Sequence, residues 1–149
     1  MLSIGVFVVT HDKNNGGHAL ATVRLGLGSD PVICVADEFP KLVEESDTDL
    51  IHAIPATGIV LPGFYPAMRT ALEHTGMDYA YCPCLDVNGD AEAEVTLPNS
   101  GVTNYGQLVV RRWVLRELGM SANIPDLYRK VISDYRGTDI PHVLCLDVA

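Results

Sequence analysis

Asp49-Leu50-Ile51-His52-Ala53-Ile54-Pro55-Ala56-Thr57-Gly58-Ile59-Val60-Leu61-Pro62-Gly63 is the stretch whose reading decides the fold. Leu50 to Ile54 is an apolar run of strand length. It breaks at Pro55, turns through Ala56-Thr57-Gly58, resumes as Ile59-Val60-Leu61 and stops at Pro62-Gly63. A helical pattern follows. A buried strand that opens into a short turn before a helix places chemistry at the carboxyl end of a parallel sheet. Here the turn carries no carboxylate, and the functional reading depends on that absence.

The chain around this stretch alternates between strand and helix patterns. Upstream, Ser3 to Thr10 is a continuous apolar, β-branched run, the pattern of a strand covered on both faces. His11 to Gly17 is turn chemistry, and a short helix with Leu20, Val23 and Leu27 on one face ends at Gly26 or Gly28. Pro31 to Ala36 reads as a second strand with Asp37-Glu38 at its carboxyl end. Phe39 to Glu45 reads as one or two helical turns with Leu42 and Val43 inward, and Asp47 to Ile54 as the entry into the third strand. Downstream, Pro62 to Thr75 predicts a helix with Pro in its first turn. Phe64, Met68, Ala71 and Leu72 share its face, and Gly76 stops it. Asp78 to Leu85 predicts a strand, Asn88-Gly89 a hairpin turn, and Ala91 to Leu97 its partner. Pro98 to Asn104 is a loop. Tyr105 to Val110 predicts a strand and Arg111 to Leu118 a helix closed by Gly119. A helix capped by Asn123 is packed by Leu127, Tyr128, Val131, Ile132 and Tyr135 and ends at Gly137; His142 to Val148 is a last strand. This order predicts a single α/β domain over residues 1–149, with a mixed, mostly parallel sheet flanked by helices.

The same residues carry a resemblance. The Ile54 to Gly63 stretch resembles the centre of a GT-A glycosyltransferase domain of the family 2 type, where the strand ends in Leu-Asp-Ala-Asp-Asp before Leu-Pro-Gly and a helix. Val8-Val9-Thr10-His11-Asp12 is similar to that family's first strand and Pro-Thr-Tyr-Asn signature. Val32 to Asp37 is similar to its Ile-Ile-Val-Val-Asp-Asp, of which Asp37 remains. Asp78 to Cys82 with Asp86 to Gly89, Gly106 to Arg112 with Leu118-Gly119, and Asp126-Leu127-Tyr128-Arg129 resemble later pieces in the same order. The resemblance implies a nucleotide-diphospho-sugar transferase fold with a nucleotide or nucleotide-sugar partner. In the family, the Asp-x-Asp holds a divalent metal and a Glu-Asp supplies the base. Here Pro55-Ala56-Thr57 stands at the metal-binding position and Asn123-Ile124 at the base position. Mg²⁺ and Mn²⁺ want carboxylate oxygens, and Asn is no base. No metal cofactor is therefore expected, nor metal-dependent catalysis.

Composition narrows the alternatives. A chain of 149 residues, 48% hydrophobic, is one domain with a proper core. Net charge is −9, from 19 acids against 10 bases. Such a chain repels phosphate backbones, and its one basic cluster is Arg111-Arg112 with Arg116, so no nucleic-acid partner is expected. No apolar run reaches the roughly 18 residues a membrane span needs, and Met1 to Phe7 lacks a basic secretory n-region. Cys34, Cys82, Cys84 and Cys145 read as reduced, buried thiols of a cytoplasmic protein. The other reading is a metal site completed by His52 or His142, although Cys82-Pro83-Cys84 lacks zinc spacing. There is no P-loop, nucleophile elbow or dinucleotide fingerprint.

The candidate ligand residues are Thr10, Asp12, Asp37, Thr57 and Asp126, with no catalytic residue assigned. Asp37 is either a hydrogen-bond acceptor for a base or ribose or an N-cap. Asp12 also reads as a turn-former, Asp126 as a first-turn carboxylate, and His11 and His52 as strand-border residues. Thr103-Asn104-Tyr105 either lines an acceptor cleft or is plain loop. Three functions follow: a nucleotide-sugar-binding module without metal-dependent catalysis, a metal-independent glycosyltransferase, or an assembly protein with no ligand. The last would use Trp113, Val109 and Leu115 against a protein partner or a second copy.

Overall fold

Both faces of the first strand are covered. Val6 and Val8 pack into one core cluster, Phe7 and Val9 into another on the opposite face. The computed structural model describes residues 1–87, 104–119 and 123–148 in full, and 93–96 as backbone. The chain runs β1 (Ile4–Val9), α1 (Gly17–Leu27), β2 (Val32–Cys34), a 3₁₀ turn (Ala36–Glu38), α2 (Phe39–Glu45), β3 (Leu50–Pro55), β4 (Gly58–Val60) and α3 (Phe64–Thr75). It continues through β5 (Tyr79–Tyr81), β6 (Cys84–Val87), β7 (Ala93–Thr96), a second 3₁₀ turn (Tyr105–Gln107), β8 (Leu108–Arg111), α4 (Arg112–Leu118), α5 (Ile124–Asp134), β9 (Gly137–Asp139) and β10 (Cys145–Val148).

The larger sheet has the order β2-β1-β3-β8-β5-β9. β2, β1 and β3 are parallel, as are β5 and β9, while β8 is antiparallel to both of its neighbours. Helices α1 and α3 cover one face through Ala19, Val23, Phe64, Tyr65, Met68 and Leu72. Helices α2, α4 and α5 cover the other through Phe39, Val43, Val114, Leu115, Leu127 and Tyr128. This is the mixed α/β sheet between helices that the alternating pattern predicts. A smaller sheet, β4-β10-β6-β7, packs beside it.

The boundaries depart from the sequence reading where proline or a side chain competes with the ladder. The predicted strand Asp78 to Leu85 divides at Pro83, which has no N–H to donate. Its first half stays in the larger sheet as β5 and its second becomes β6 of the smaller one. Tyr105 to Gln107 is a turn rather than strand, because the Asn104 side chain accepts the Gly106 N–H at 3.0 Å. Helix α3 starts at Phe64, so Pro62 precedes it and the first-turn proline is Pro66. Helix α5 ends at Asp134, and Gly137 opens β9. Residue 87 of β6 lies opposite residue 93 of β7 in an antiparallel pair. The predicted Asn88-Gly89 turn between them, and Thr103, fall outside the described residues. No helix among the described residues is long and apolar enough to cross a membrane.

Candidate functional site

The sheet order reverses between β1 and β3: the chain leaves β1 toward β2 and later returns to β1's other side as β3. Open α/β sheets form a crevice at such a switch point, outside the carboxyl ends of the strands. A cleft of about 350 Å³ lies there. Its walls are Val9, Thr10 and His11 from the end of β1, Val35, Ala36 and Asp37 from the end of β2, Tyr105, and Ile124 and Pro125 from the start of α5.

Two of the five predicted residues, Thr10 and Asp37, meet in this cleft. The Thr10 N–H continues the β2 ladder onto the Cys34 carbonyl at 2.9 Å. Its hydroxyl lies 3.1 Å from the Asn15 carbonyl and accepts the Asp12 N–H at 3.3 Å, so it braces the loop it lines. Asp37 is exposed on the 3₁₀ turn, and no hydrogen bond or ion pair engages its side chain among the described residues. The capping role falls to its neighbour. Glu38 accepts the Val35 N–H at 3.1 Å and pairs with Lys13 at 2.6 Å, and these bonds, Lys13 first, hold its carboxyl below the usual range. Asp37 is thereby left to face the cleft.

The other three lie elsewhere. Asp12 Oδ1 accepts the Asn14 N–H at 3.0 Å, the hydrogen bond of a turn-former. Thr57 is exposed in the β3–β4 turn, outside the cleft lining, and its carbonyl accepts the Val148 N–H. Asp126 is half-exposed and pairs with Arg129 at 2.5 Å, one turn along α5. Its N–H is capped by Asn123 Oδ1 at 3.2 Å.

Tyr105, singled out in the sequence only as part of a loop or acceptor cleft, is the cleft's aromatic wall. Burial foremost, then the charge on Asp147, pushes its hydroxyl up to about 12, so it stays a neutral donor. Asp147 itself gave no signal in the sequence. It sits on β10, opposite both Gly58 of β4 and Asp86 of β6. Asn104 Nδ2 donates to Asp147 Oδ2 at 2.9 Å, while Oδ1 is buried with no hydrogen-bond partner among the described residues.

Two further sequence readings are corrected. His52 is no strand-border residue: it lies inside β3 at 0% exposure. It bonds Tyr65 Oη through Nδ1 at 2.9 Å and the Gly106 carbonyl through Nε2 at 2.8 Å. Burial lowers its pKa to about 4, and Gly106 opposes that shift. The apolar patch of Trp113, Val109 and Leu115 does not exist as a surface. Val109 and Leu115 are 0% exposed, leaving Trp113 alone at 50%, edge-on to Tyr135. All four cysteines are free and buried.

The metal-binding position that the resemblance implies falls at the β3–β4 turn. Pro55, Ala56 and Thr57 offer no carboxylate, and the Ala56 carbonyl already accepts the Ala19 N–H at 3.3 Å. Among the described residues, no group of three or more His, Cys, Asp or Glu is arranged to hold a metal. These residues do not fit a hard divalent ion.

No family model matches the chain. No curated protein matches it either. Solved structures do. S. aureus TarS 1-349 superposes with a TM-score of 0.71 at 9% identity, over 99% of this chain and 60% of that one. The same fragment in complex with UDP-GlcNAc gives 0.68 at 11%, over 99% and 59%. A197 from STIV gives 0.62 at 11%, over 94% and 82%. The 2-C-methyl-D-erythritol 4-phosphate cytidylyltransferase from Thermus thermophilus gives 0.55 at 10%, over 95% and 89%. The fold is GT-A-like. The chain spans about 60% of the length of the TarS fragment it matches.

Proposed function

We propose that the chain is a nucleotide- or nucleotide-sugar-binding module of GT-A-like fold that works without metal-dependent glycosyl transfer. The observation that carries this reading is the cleft at the sheet's switch point, which Asp37, unpaired among the described residues, and Tyr105 line together with apolar walls. Its chemistry suits a base better than a pyrophosphate. Val9, Val35, Ala36, Ile124 and Pro125 supply flat apolar contact, and the protonated Tyr105 hydroxyl donates. The Asp37 carboxylate accepts from a ring N–H and repels phosphate. Lys13, the nearby cation in the loop, is committed to Glu38. The UDP-GlcNAc-bound TarS fragment supports the ligand class, as a fold relative that binds one such molecule.

The loss of transfer activity rests on chemistry. Glycosyl transfer from a nucleotide-sugar leaves a pyrophosphate, which a divalent ion ordinarily neutralises, and it needs a base at the acceptor hydroxyl. Pro55-Ala56-Thr57 and Asn123-Ile124 provide neither. A missing base alone removes roughly 10²–10⁴-fold in rate.

The test is a thermal-shift screen against UDP, GDP, dTDP and their sugars, with and without Mn²⁺. A ligand at ~100 times its Kd adds about 2.7 kcal/mol, a clear rise in Tm. The expected result is a rise with one nucleotide that is indifferent to Mn²⁺. Asp37→Ala should then weaken binding about 10–100-fold, the worth of a hydrogen bond to a charged group. A rise that requires Mn²⁺ would place metal ligands in the protein and sink the metal-free reading. Sugar transfer by the purified chain, lost in Asp37→Ala, would replace it with a working metal-independent transferase. No rise with any nucleotide would overturn ligand binding altogether and favour a structural role.

A further inference from the structure

Three of the four cysteines converge where the two sheets meet. Cys82 follows β5, the strand that still belongs to the larger sheet, and Cys84 opens β6 of the smaller one. Cys145 opens β10 and lies directly opposite Cys84 in the parallel β6–β10 ladder. Cys82 and Cys145 bring their Sγ atoms to 3.8 Å and share a hydrogen bond, although 63 residues separate them. All three are 0–2% exposed and belong to the core cluster under α1 and α3. Cys34 lies in the other cluster, on the opposite face of the larger sheet.

We propose that Cys82 and Cys145 form a reversible disulfide on exposure to a peroxide, stapling the larger sheet to the smaller one. The geometry is the argument. The two sulfurs are already neighbours at 3.8 Å, and a disulfide requires them to close to about 2 Å. Cys145 also reaches toward the Pro83 carbonyl at 3.9 Å, within the same turn that carries the chain between sheets. The contact between the two thiols, with a second from Cys84, holds the Cys145 thiol well above its usual value. The first attack is taken from Cys82; attack from Cys145 gives the same disulfide and the same two waters.

The Cys82 thiolate attacks one peroxide oxygen, the O–O bond breaks, and with a proton the other oxygen leaves as water, giving Cys82 sulfenic acid. The Cys145 sulfur then attacks the Cys82 sulfur. The S–O bond breaks, and the departing hydroxide takes the Cys145 proton as a second water. Two thiols and one hydrogen peroxide become one disulfide and two waters. Each sulfur is oxidised by one electron, and the peroxide is reduced by two. The proposal is independent of any ligand in the cleft.

The test uses the unmodified full chain. Folded protein is treated with a small excess of hydrogen peroxide, quenched, unfolded, alkylated and mapped by mass spectrometry. The expected product is a Cys82–Cys145 cross-linked peptide, lost on dithiothreitol, with Cys34 and Cys84 alkylated. Closing so long a loop should raise Tm by about 5 °C or more relative to the reduced chain. The same oxidation in denaturant should scatter pairings among all four cysteines. Cys34→Ser should form the cross-link as the parent does, and Cys145→Ser should lose it. A folded chain whose pairings match the denatured scatter would overturn the proposal. So would a Cys82–Cys84 bridge, sulfinic acid at Cys82 with no cross-link, or a lower Tm in the cross-linked form.

Discussion

His52 shows how one buried polar side chain orders the centre of the sheet. The Gly106 carbonyl can only accept, so Nε2 carries the proton and donates to it at 2.8 Å. Nδ1 is then the acceptor, and Tyr65 Oη donates to it at 2.9 Å. Phe64 and Tyr65 pack against the ring, which is fully buried. The ring is neutral in the fold, with its pKa near 4, against 6.5 in the open chain. Between those values the unfolded chain binds the extra proton. The ring's contribution is therefore complete above pH 6.5 and is lost as pH falls toward 4, by about 3 kcal/mol in all. Urea unfolding at pH 7.0 and pH 4.5 should show that loss. His52→Gln keeps a donor for Gly106 but cannot titrate. It should be less stable at pH 7 by about 1–2 kcal/mol and nearly flat across the same range. A wild-type chain equally flat from pH 6.5 to 4.5 would contradict the neutral, buried ring. At the cleft, Asp37→Ala belongs to the same scale, because among the described residues the side chain makes no bond whose loss would unfold the turn.

At the scale of elements, helix starts and close approaches decide which substitutions are tolerated. Helix α1 begins at Gly17 with φ +61, where an added Cβ would lie 2.4 Å from the Ala56 carbonyl oxygen. Backbone cannot give way as a side-chain tip can, and that region of φ is itself costly for L-residues. Gly17→Ala should cost about 2 kcal/mol or more and loosen α1 from the β3–β4 turn, measurable as a lower urea midpoint. Asn123→Ala should cost about 1 kcal/mol, since it removes the side-chain acceptor for the Asp126 N–H at the start of α5. An Asn123→Ala chain as stable as its parent would show that the cap holds nothing. These elements also show what could be read from the sequence. The helices and the strands of the β1–β3 half were legible because apolar periodicity and glycine stops act locally. β5 and β6 were not separable, because a change of sheet at Pro83 is a tertiary event with no period of its own. β9 escaped because Gly137-Thr138-Asp139 carries no apolar run. In the site, Asp37 and Thr10 were legible as polar ends of buried strands. Asp147 lies outside the cleft lining and acts on it only through its charge beside Tyr105, a proximity that the fold creates by placing β10 between β4 and β6.

For the whole molecule, charge is the organising quantity. The chain carries −9, and its basic cluster is spent internally. Arg111 donates to the Leu72 and Met77 carbonyls behind α3. Arg112 donates to the Ser46 carbonyl and Arg116 to that of Glu44, both at the end of α2. These cations satisfy helix carbonyls and complement helix dipoles, so they form no patch for phosphates. The ion pairs among the described residues are exposed, each worth about 0–1 kcal/mol at most. Salt therefore acts on two opposing terms. It weakens those few pairs, and it screens the mutual repulsion of 19 acids against 10 bases. Repulsion extends over the whole surface, and the Debye length falls from about 30 Å at 0.01 M to about 8 Å at 0.15 M. The long-range term should win, because the pairs are short-range and weak while the excess charge is everywhere within about 30 Å of itself. Stability at pH 7 should accordingly rise as sodium chloride goes from about 0.01 to about 0.3 M, with a higher Tm and an unchanged unfolding cooperativity. Chloride and fluoride should act alike, since screening depends on ionic strength and not on the ion. A Tm that falls with salt would mean that the exposed pairs, Lys13–Glu38 and Arg24–Asp30 foremost, hold the fold more tightly than their exposure allows.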